Sequence, residues 1–344
     1  MANAKLKFGL LGCGAAGQLH AEAIANCPDT ELVLVADADE RMARDVARRH
    51  GVPYVCAAEE LLADERVAAV SVALPHHLHH QYALQAAAAG KHAIVEKPFT
   101  TSSAQGRELI EVFARRGLTL SAWLERRYMP FAAKARELLQ AGMAGRLIYI
   151  TINVLGYKPR AYWEYGMRNE TFPSQWRKSW ETSAGGPLMM NGIHQVDLVR
   201  YVTGLEVVEV YARMGTFYHD VEVEDTIAVM LEFDNGALGR IDCSCAAYGA
   251  GAFPIQHKRD YLYGTDGYVF LSAPLETYDR IYEHRVHEVP ARTVPECKAL
   301  ELADFARAAA EGRPHGGFAE EILKSKRVIE AAYESARSRV PVRV

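Results

Sequence analysis

Lys7-Phe8-Gly9-Leu10-Leu11-Gly12-Cys13-Gly14-Ala15-Ala16-Gly17 decides the fold. An apolar run, Phe8 to Leu11, leads straight into G-x-G-x-x-G. A helical pattern over Ala15–Asn26 follows at once. In such a strand–turn–helix unit the first glycine permits the tight turn. The second lets a pyrophosphate approach the backbone, and the third lets helix and strand pack closely. The helix start, at Ala15 and Ala16, then presents unpaired N–H groups and a positive partial charge to the phosphates.

Asp37 closes the next apolar run, Glu31–Ala36, about 20 residues past Gly17. A carboxylate there accepts hydrogen bonds from the adenosine ribose hydroxyls and repels the additional phosphate of NADP. The expected cofactor is therefore NAD, with NADP the less favoured alternative.

Outward from this unit, the pattern alternates. Strands are expected at Lys5–Leu11, Glu31–Ala36, Val67–Ala73, Ala93–Val95 and Thr119–Ala122. Helices are expected at Ala15–Asn26, Glu40–His50, Leu78–Ala89 and Ser102–Arg115. The strands are continuous apolar runs, as in parallel sheets buried on both faces. This predicts an α/β, Rossmann-type, doubly wound domain over residues 1–123.

Beyond residue 123 the texture changes. A helix over Pro130–Ala141 precedes longer, alternating strands at Arg146–Leu155, Val207–Phe217, Thr226–Phe233, Ala237–Cys245 and Arg259–Tyr263. Asp234-Asn235-Gly236 between two of them is a hairpin signal. Residues 124–344 are expected to form an α+β domain with a mostly antiparallel sheet. Its last helix, about 319–338, is expected to return to the first domain.

Composition narrows the class. The 344 residues are 49 % apolar and 24 % charged, with a net charge of −4 and a pI near 6.4. That balance argues against a nucleic-acid or anionic-membrane partner. Cys13, Cys27, Cys56, Cys243, Cys245 and Cys297 are scattered without C-x-x-C spacing, which suggests free thiols in a reducing compartment. With no signal-like or membrane-length apolar stretch, a cytoplasmic location is the default expectation.

Leu74-Pro75 falls where the third strand of the alternating series ends, at the ligand-binding edge of such a sheet. His76, His77, His79 and His80 follow. They read as a polar helix start with one or two histidines, His79 among them, near the cofactor. The i, i+4 pair His76/His80 could hold a metal, but no carboxylate lies close in sequence, and no metal is expected.

Glu96-Lys97-Pro98 follows the next buried strand. Far downstream comes Gly185-Gly186-Pro187-Leu188-Met189-Met190-Asn191-Gly192-Ile193-His194-Gln195-Val196-Asp197. With the glycine motif, Arg127-Tyr128-x-Pro130 and Tyr263-Gly264-Thr265-Asp266-Gly267, the whole chain resembles the glucose–fructose oxidoreductase / inositol dehydrogenase / rhizopine-catabolism (Gfo/Idh/MocA) family. The resemblance implies an open C-terminal sheet that forms a homodimer or homotetramer contact. It also implies oxidation or reduction of one carbinol centre of a sugar, cyclitol or related polyol. Lys97 would then lie by the nicotinamide and the reacting oxygen, Glu96 and Arg127 would stand by the cofactor, and His194 would be the acid/base.

Chemistry supports these roles independently. An ammonium beside a carbinol oxygen stabilises developing alkoxide charge, and an imidazole exchanges the hydroxyl proton near neutral pH. Asp197, i+3 from His194, either tunes the imidazole or is a structural hydrogen-bonding residue. Many branches of the family carry an aspartate four residues before the histidine. Here that position is Met190. Substrate contacts are expected from Lys97, Asn191, His194 and the loop Tyr157–Glu181, which holds Tyr157, Lys158, Arg160, Tyr162, Trp163, Arg168, Trp176, Arg177, Lys178 and Trp180. Aromatic faces pack on sugar C–H groups, and arginine forks bind hydroxyls or carboxylates. The alternatives are a glycoside-cleaving enzyme using transient oxidation and a non-catalytic NAD-sensing regulator.

Overall fold

The computed structural model describes residues 5–165, 175–247, 260–281, 283–313 and 318–344. The chain folds around two sheets. The first contains β1 (Leu6–Leu11), β2 (Thr30–Ala36), β3 (Tyr54–Val55), β4 (Ala69–Val72), β5 (His92–Val95) and β6 (Leu120–Ala122). All its pairings are parallel, in the order β3-β2-β1-β4-β5-β6. The connecting helices are α1 (Ala15–Asn26), α2 (Glu40–His50), α3 (Ala58–Ala63), α4 (His76–Ala88) and α5 (Ser103–Arg115). This is the doubly wound sheet that the apolar runs predict. The sequence reading omits β3 and α3, which are too short to carry a periodic signal.

The second sheet has nine strands in the order β14-β13-β12-β11-β7-β10-β9-β8-β15. Its strands are β7 (Leu147–Leu155), β8 (Val207–Gly215), β9 (Thr226–Phe233), β10 (Leu238–Ser244), β11 (Asp260–Gly264), β12 (Gly267–Leu271), β13 (Leu275–Asp279), β14 (His284–His287) and β15 (Val342–Arg343). Only β7 and β10 run parallel; the other pairs are antiparallel. The hairpin at Asp234–Gly236 joins β9 to β10, with Gly236 at φ +78°. β9 alternates strictly between buried and exposed residues, so one face packs on the core and the other faces outward.

Six further helices complete the fold: α6 (Pro130–Gln140), α7 (Arg160–Tyr165), α8 (Trp180–Ser183), α9 (Ile193–Thr203), α10 (Val294–Ala310) and α11 (Phe318–Ser338). The last two tie the C-terminal half to the first sheet. Phe305 of α10 meets Phe8 of β1 at 5.8 Å between ring centres. Glu330 of α11 accepts hydrogen bonds from the Ser103 amide (2.9 Å) and hydroxyl (2.5 Å). No described helix is long and apolar enough to cross a membrane.

Candidate active site

At the carboxyl end of β1 the backbone leaves no alternative to glycine. Gly12 sits at φ +95°, and a Cβ there would lie 2.4 Å from the Ala73 carbonyl oxygen. A Cβ on Gly17 would lie 1.9 Å from the Gly12 carbonyl oxygen. Any larger residue at position 17 pushes α1 off the strand. Gly14 caps the helix, so the first N–H groups of α1 open onto the groove. At the end of β2, Asp37 accepts from the Cys13 amide (2.7 Å) and the Asp39 amide (2.8 Å), which fixes the carboxylate beside the turn.

A groove of about 530 Å³ runs from Asp37 past Gly12, Gly14, Ala15 and Ala16 to Leu74, Pro75, His79, Glu96 and Lys97. Its far wall is Tyr162, Trp176, Arg177, Met190 and Asn191 from the C-terminal half. Backbone room, an N-terminal helix dipole and a ribose-reaching carboxylate together fit a dinucleotide.

Three of the four histidines after Pro75 have hydrogen-bond partners of their own. His76 bonds through Nδ1 to the Ser183 carbonyl (2.8 Å) and packs on Trp176. His79 bonds through Nε2 to the Leu74 carbonyl (2.7 Å), and burial pulls its pKa down to about 4. His80 meets Glu108 at 2.9 Å. Among the described residues, no group of three or more histidines, cysteines and carboxylates is placed to hold a metal.

Lys97 and His194 are brought together by one carbonyl. The Lys97 ammonium donates to Met190 O at 2.8 Å, one turn before His194. That turn is a π-turn, Leu188–Gly192, leading into α9. It is held from behind by Glu224, which accepts from the Gly186 (2.7 Å) and Leu188 (3.1 Å) amides and from Tyr333 (2.8 Å). A Cβ on Gly186 would lie 1.9 Å from the Glu224 carbonyl oxygen, which explains the glycine pair. Burial lowers the pKa of Lys97, opposed by Glu96 and Glu125. Burial, then Lys97 and Arg126, holds His194 well below the ordinary histidine range. Its imidazole is therefore neutral at physiological pH.

Beneath these two residues lies a charge network that the sequence does not announce. Lys298 of α10 is buried between Glu96 (3.4 Å) and Glu125 (3.3 Å), with its ammonium 4.1 Å from the centre of the Trp123 ring. His20 of α1 bonds to Glu96 (2.9 Å) and Ser71 (3.0 Å) and stacks on Trp123. Burial raises the pKa of Glu125, but Lys298 and His194 more than cancel it, giving about 2. The Glu125 carboxylate lies 3.8 Å from His194 Nδ1.

Four expected site residues lie elsewhere. Asp197 turns away from His194. It is buried and holds Arg127 in a forked pair at 2.9 and 2.7 Å, with Ser325 at 3.3 Å. Of its two readings, the structural one fits this placement. Arg127, expected by the cofactor, is committed to that pair and to Glu321, between the rings of Tyr201 and Phe318. It lines a different hollow, with Tyr128 and Asp304. Tyr157, expected at the substrate, packs on Tyr218 and His219. Arg160 lies on the outer face of α7, 88 % exposed, bonded to Glu164. Arg168 and Arg259 lie outside the described residues.

Breaking a buried pair leaves an uncompensated charge. Asp197→Asn is therefore expected to cost about 3–5 kcal/mol of stability. Denaturant unfolding measures that loss, and the turnover of folded enzyme should change less than about threefold, well under the 10²–10⁴ of a proton-transfer residue.

Comparison with known proteins agrees with this architecture. A model described as an oxidoreductase family with an NAD-binding Rossmann fold matches residues 6–123. The Gfo/Idh/MocA C-terminal domain model matches residues 132–270. The chain belongs to the Gfo/Idh/MocA oxidoreductase family.

Relatives in this family include a scyllo-inositol 2-dehydrogenase (NAD⁺) of Bacillus subtilis. It is 27 % identical over 334 residues, covering 90 % of this chain and 87 % of that protein. A D-xylose 1-dehydrogenase (NADP⁺) of Haloferax volcanii is 27 % identical over 351 residues, covering 97 % and 98 %. The solved structure of levoglucosan dehydrogenase with NADH and levoglucosan superimposes with a TM-score of 0.85 at 23 % identity, over 99 % of each chain. Gfo/Idh/MocA members thus share this chain's NAD-binding Rossmann domain and its second, sheet-based domain.

Proposed function

We propose that this oxidoreductase transfers a hydride between a carbinol carbon of a sugar, cyclitol or related polyol and NAD. The observation that carries the reading is the convergence of Lys97 and His194 on the Met190 turn, where Lys97 and Met190 close the groove that begins at Asp37. Relatives named as inositol, xylose and levoglucosan dehydrogenases support the substrate class.

When bound, the dinucleotide supplies the hydride acceptor. The chain supplies the rest. Lys97, partly desolvated, donates to the carbinol oxygen and stabilises negative charge as the hydroxyl proton leaves. His194 takes that proton. Its neutral form dominates, so the base is ready without prior ionisation. Nδ1 faces the Glu125 carboxylate, which favours the tautomer with hydrogen on Nδ1 and a lone pair on Nε2. Met190 brings no carboxylate to that position, and Glu125, arriving after β6, supplies a negative charge 3.8 Å from Nδ1. Trp176, Arg177, Asn191 and Tyr162 form the substrate-side wall and exclude water.

NAD is favoured over NADP because Asp37 faces the ribose position with both oxygens pinned by amides. Hydrogen bonds to charged groups are worth about 1.5–3 kcal/mol. Asp37→Ala is accordingly expected to raise the NADH dissociation constant about 10- to 100-fold. The NADPH constant should rise far less, since the repulsion leaves with the carboxylate. Fluorescence titration of the bound nicotinamide reads both. An unchanged NADH-to-NADPH ratio would count against the assignment.

The outward face of the nine-stranded sheet carries a run of rings, Tyr261–Tyr263 and Tyr268–Tyr278–His284, stacked at 4.5–6.0 Å. We assign this face to packing against a second copy of the chain. The oxidation assay itself is a screen for NADH formation across sugars, inositols and sugar acids. Absence of NADH from every class would contradict the reading.

A further inference from the structure

Beside the dinucleotide groove lies a second, smaller cavity of about 110 Å³. Asn191 lines both, so the cavity extends the groove on the side of the second sheet. Its lining is unusual in charge. Arg126 and Lys158 contribute cations, and Asn153, Asn191 and Gln195 contribute amides. None of its described lining residues is acidic. The adjoining end of the groove adds Lys97 and Arg177, with the one carboxylate of Glu96 beside Lys97. This concentration of positive charge stands in a chain whose net charge is −4, so it is local and not a reflection of overall basicity.

Arg126 is the informative residue. It is partly buried, yet its guanidinium makes no hydrogen bond or ion pair with any described residue. The acids that act on it do so from a distance: Glu125, Asp260 and Asp197. Each has a nearer partner. Glu125 meets Lys298 at 3.3 Å, Asp197 holds Arg127 at 2.7 Å, and Asp260 accepts from the Asn153 amide at 2.8 Å. A guanidinium carries five donors in a rigid fork, and here all five remain available to a ligand. Its immediate neighbour, Arg127, shows what the fork does when a carboxylate is within reach. Arg126 lines the cavity that Asn191 shares with the groove, close enough to act on Lys97 and His194.

We propose that the substrate is an anionic polyol, an aldonate or uronate, whose carboxylate is bound by Arg126 in a forked pair with Lys158 alongside. A carboxylate matches the fork with two parallel charge-assisted bonds, and a hydroxyl does not. The side-chain amide of Gln195 is placed for hydroxyls on the neighbouring carbons. Gln195 Oε1, buried without a hydrogen-bond partner, is a waiting acceptor for one of them. This inference rests on the reading of the groove as a polyol-oxidising site and narrows its substrate.

The test uses the full-length protein with NAD and a matched panel. D-gluconate, D-glucuronate, D-galacturonate and D-mannonate are set against D-glucose, D-galactose, D-mannose and myo-inositol. The same compounds are titrated into the NADH-loaded protein by calorimetry, which reads binding without turnover. The best acid is expected to exceed the best neutral compound in kcat/KM by about 100-fold, as a forked charge-assisted pair supplies. In Arg126→Met that ratio should collapse, chiefly through KM, with Arg126→Lys intermediate because a point charge cannot fork.

Equal efficiency toward neutral and acidic compounds overturns the proposal while the oxidoreductase reading stands. So does an acid preference that persists in both variants. Acids that bind in an Arg126-dependent manner but yield no NADH sustain the carboxylate site and contradict oxidation. A panel in which nothing binds and nothing is oxidised contradicts both. The wild-type panel needs no variant, so a misfolded Arg126→Met does not blunt the test.

Discussion

Lys97→Met is expected to lower kcat/KM for the oxidised polyol by about a thousandfold, the upper part of the range for removing one preorganised donor to a developing oxyanion. Methionine keeps the length and apolar character of the stem and deletes only the ammonium. The loss should fall on kcat, because the charge is needed most where alkoxide character develops. The NADH dissociation constant should stay within about threefold, less than the tenfold per 1.4 kcal/mol that losing a real cofactor contact would bring. Lys97→Arg should not rescue the enzyme. The site offers one carbonyl acceptor, Met190 O at 2.8 Å, and a point donor cannot be exchanged there for a planar fork. A kcat/KM within tenfold of wild type would remove Lys97 from the reacting centre.

The second large effect is on protons. His194→Asn, which keeps a polar group of similar size, is expected to cost about 10²–10⁴ in kcat. The pH profile carries further information. Burial, with Lys97 and Arg126, depresses the His194 pKa well below the ordinary value. The base form therefore persists as pH falls through 6.5. The acid limb of kcat/KM should appear only below that point, later than for a solvent-exposed histidine.

Glu125 opposes this depression. Glu125→Gln should therefore move the acid limb to still lower pH while lowering kcat, because the negative charge that favours hydrogen on Nδ1 is removed. A purely structural Glu125 would change stability and leave the limb in place. Lys298 keeps Glu96 at 3.4 Å in this variant, so its charge is not abandoned. Glu125→Asp should restore part of the rate.

What the sequence makes legible is what is local. Gly12 and Gly17 each answer to a backbone carbonyl, that of Ala73 or of Gly12 itself, and Asp37 is pinned by the amides of Cys13 and Asp39. The Met190 turn is announced by Gly185-Gly186, whose missing side chains leave room for Tyr333 and Glu224. Partnerships across long separations are not announced. Asp197 is set by Arg127, 70 positions away, and α9 itself gives no sign of which partner wins. Lys298 and His20 look like ordinary residues on amphipathic helices. Only the packing of α10 on α1, with Trp123 between Lys298 and His20, makes them the floor of the site. Tyr157 and Arg160 have partners outside the groove for a related reason. A short helix and an aromatic cluster decide where a loop side chain points, and neither leaves a periodic trace. β12 to β14 escape notice because strands of four or five residues give too little alternation.

With NAD bound, a hydride would leave a substrate carbon for the nicotinamide while Lys97 and His194 serve the carbinol oxygen and its proton. Label transfer tests this directly. The preferred polyol, deuterated at its reacting carbinol carbon, is incubated with NAD and the wild-type protein, and the nicotinamide is analysed by mass spectrometry and NMR. Deuterium at C4 of NADH, formed one for one with the ketone or lactone product, is the predicted result. Product formed with NAD unchanged and the label retained or lost to water would contradict it.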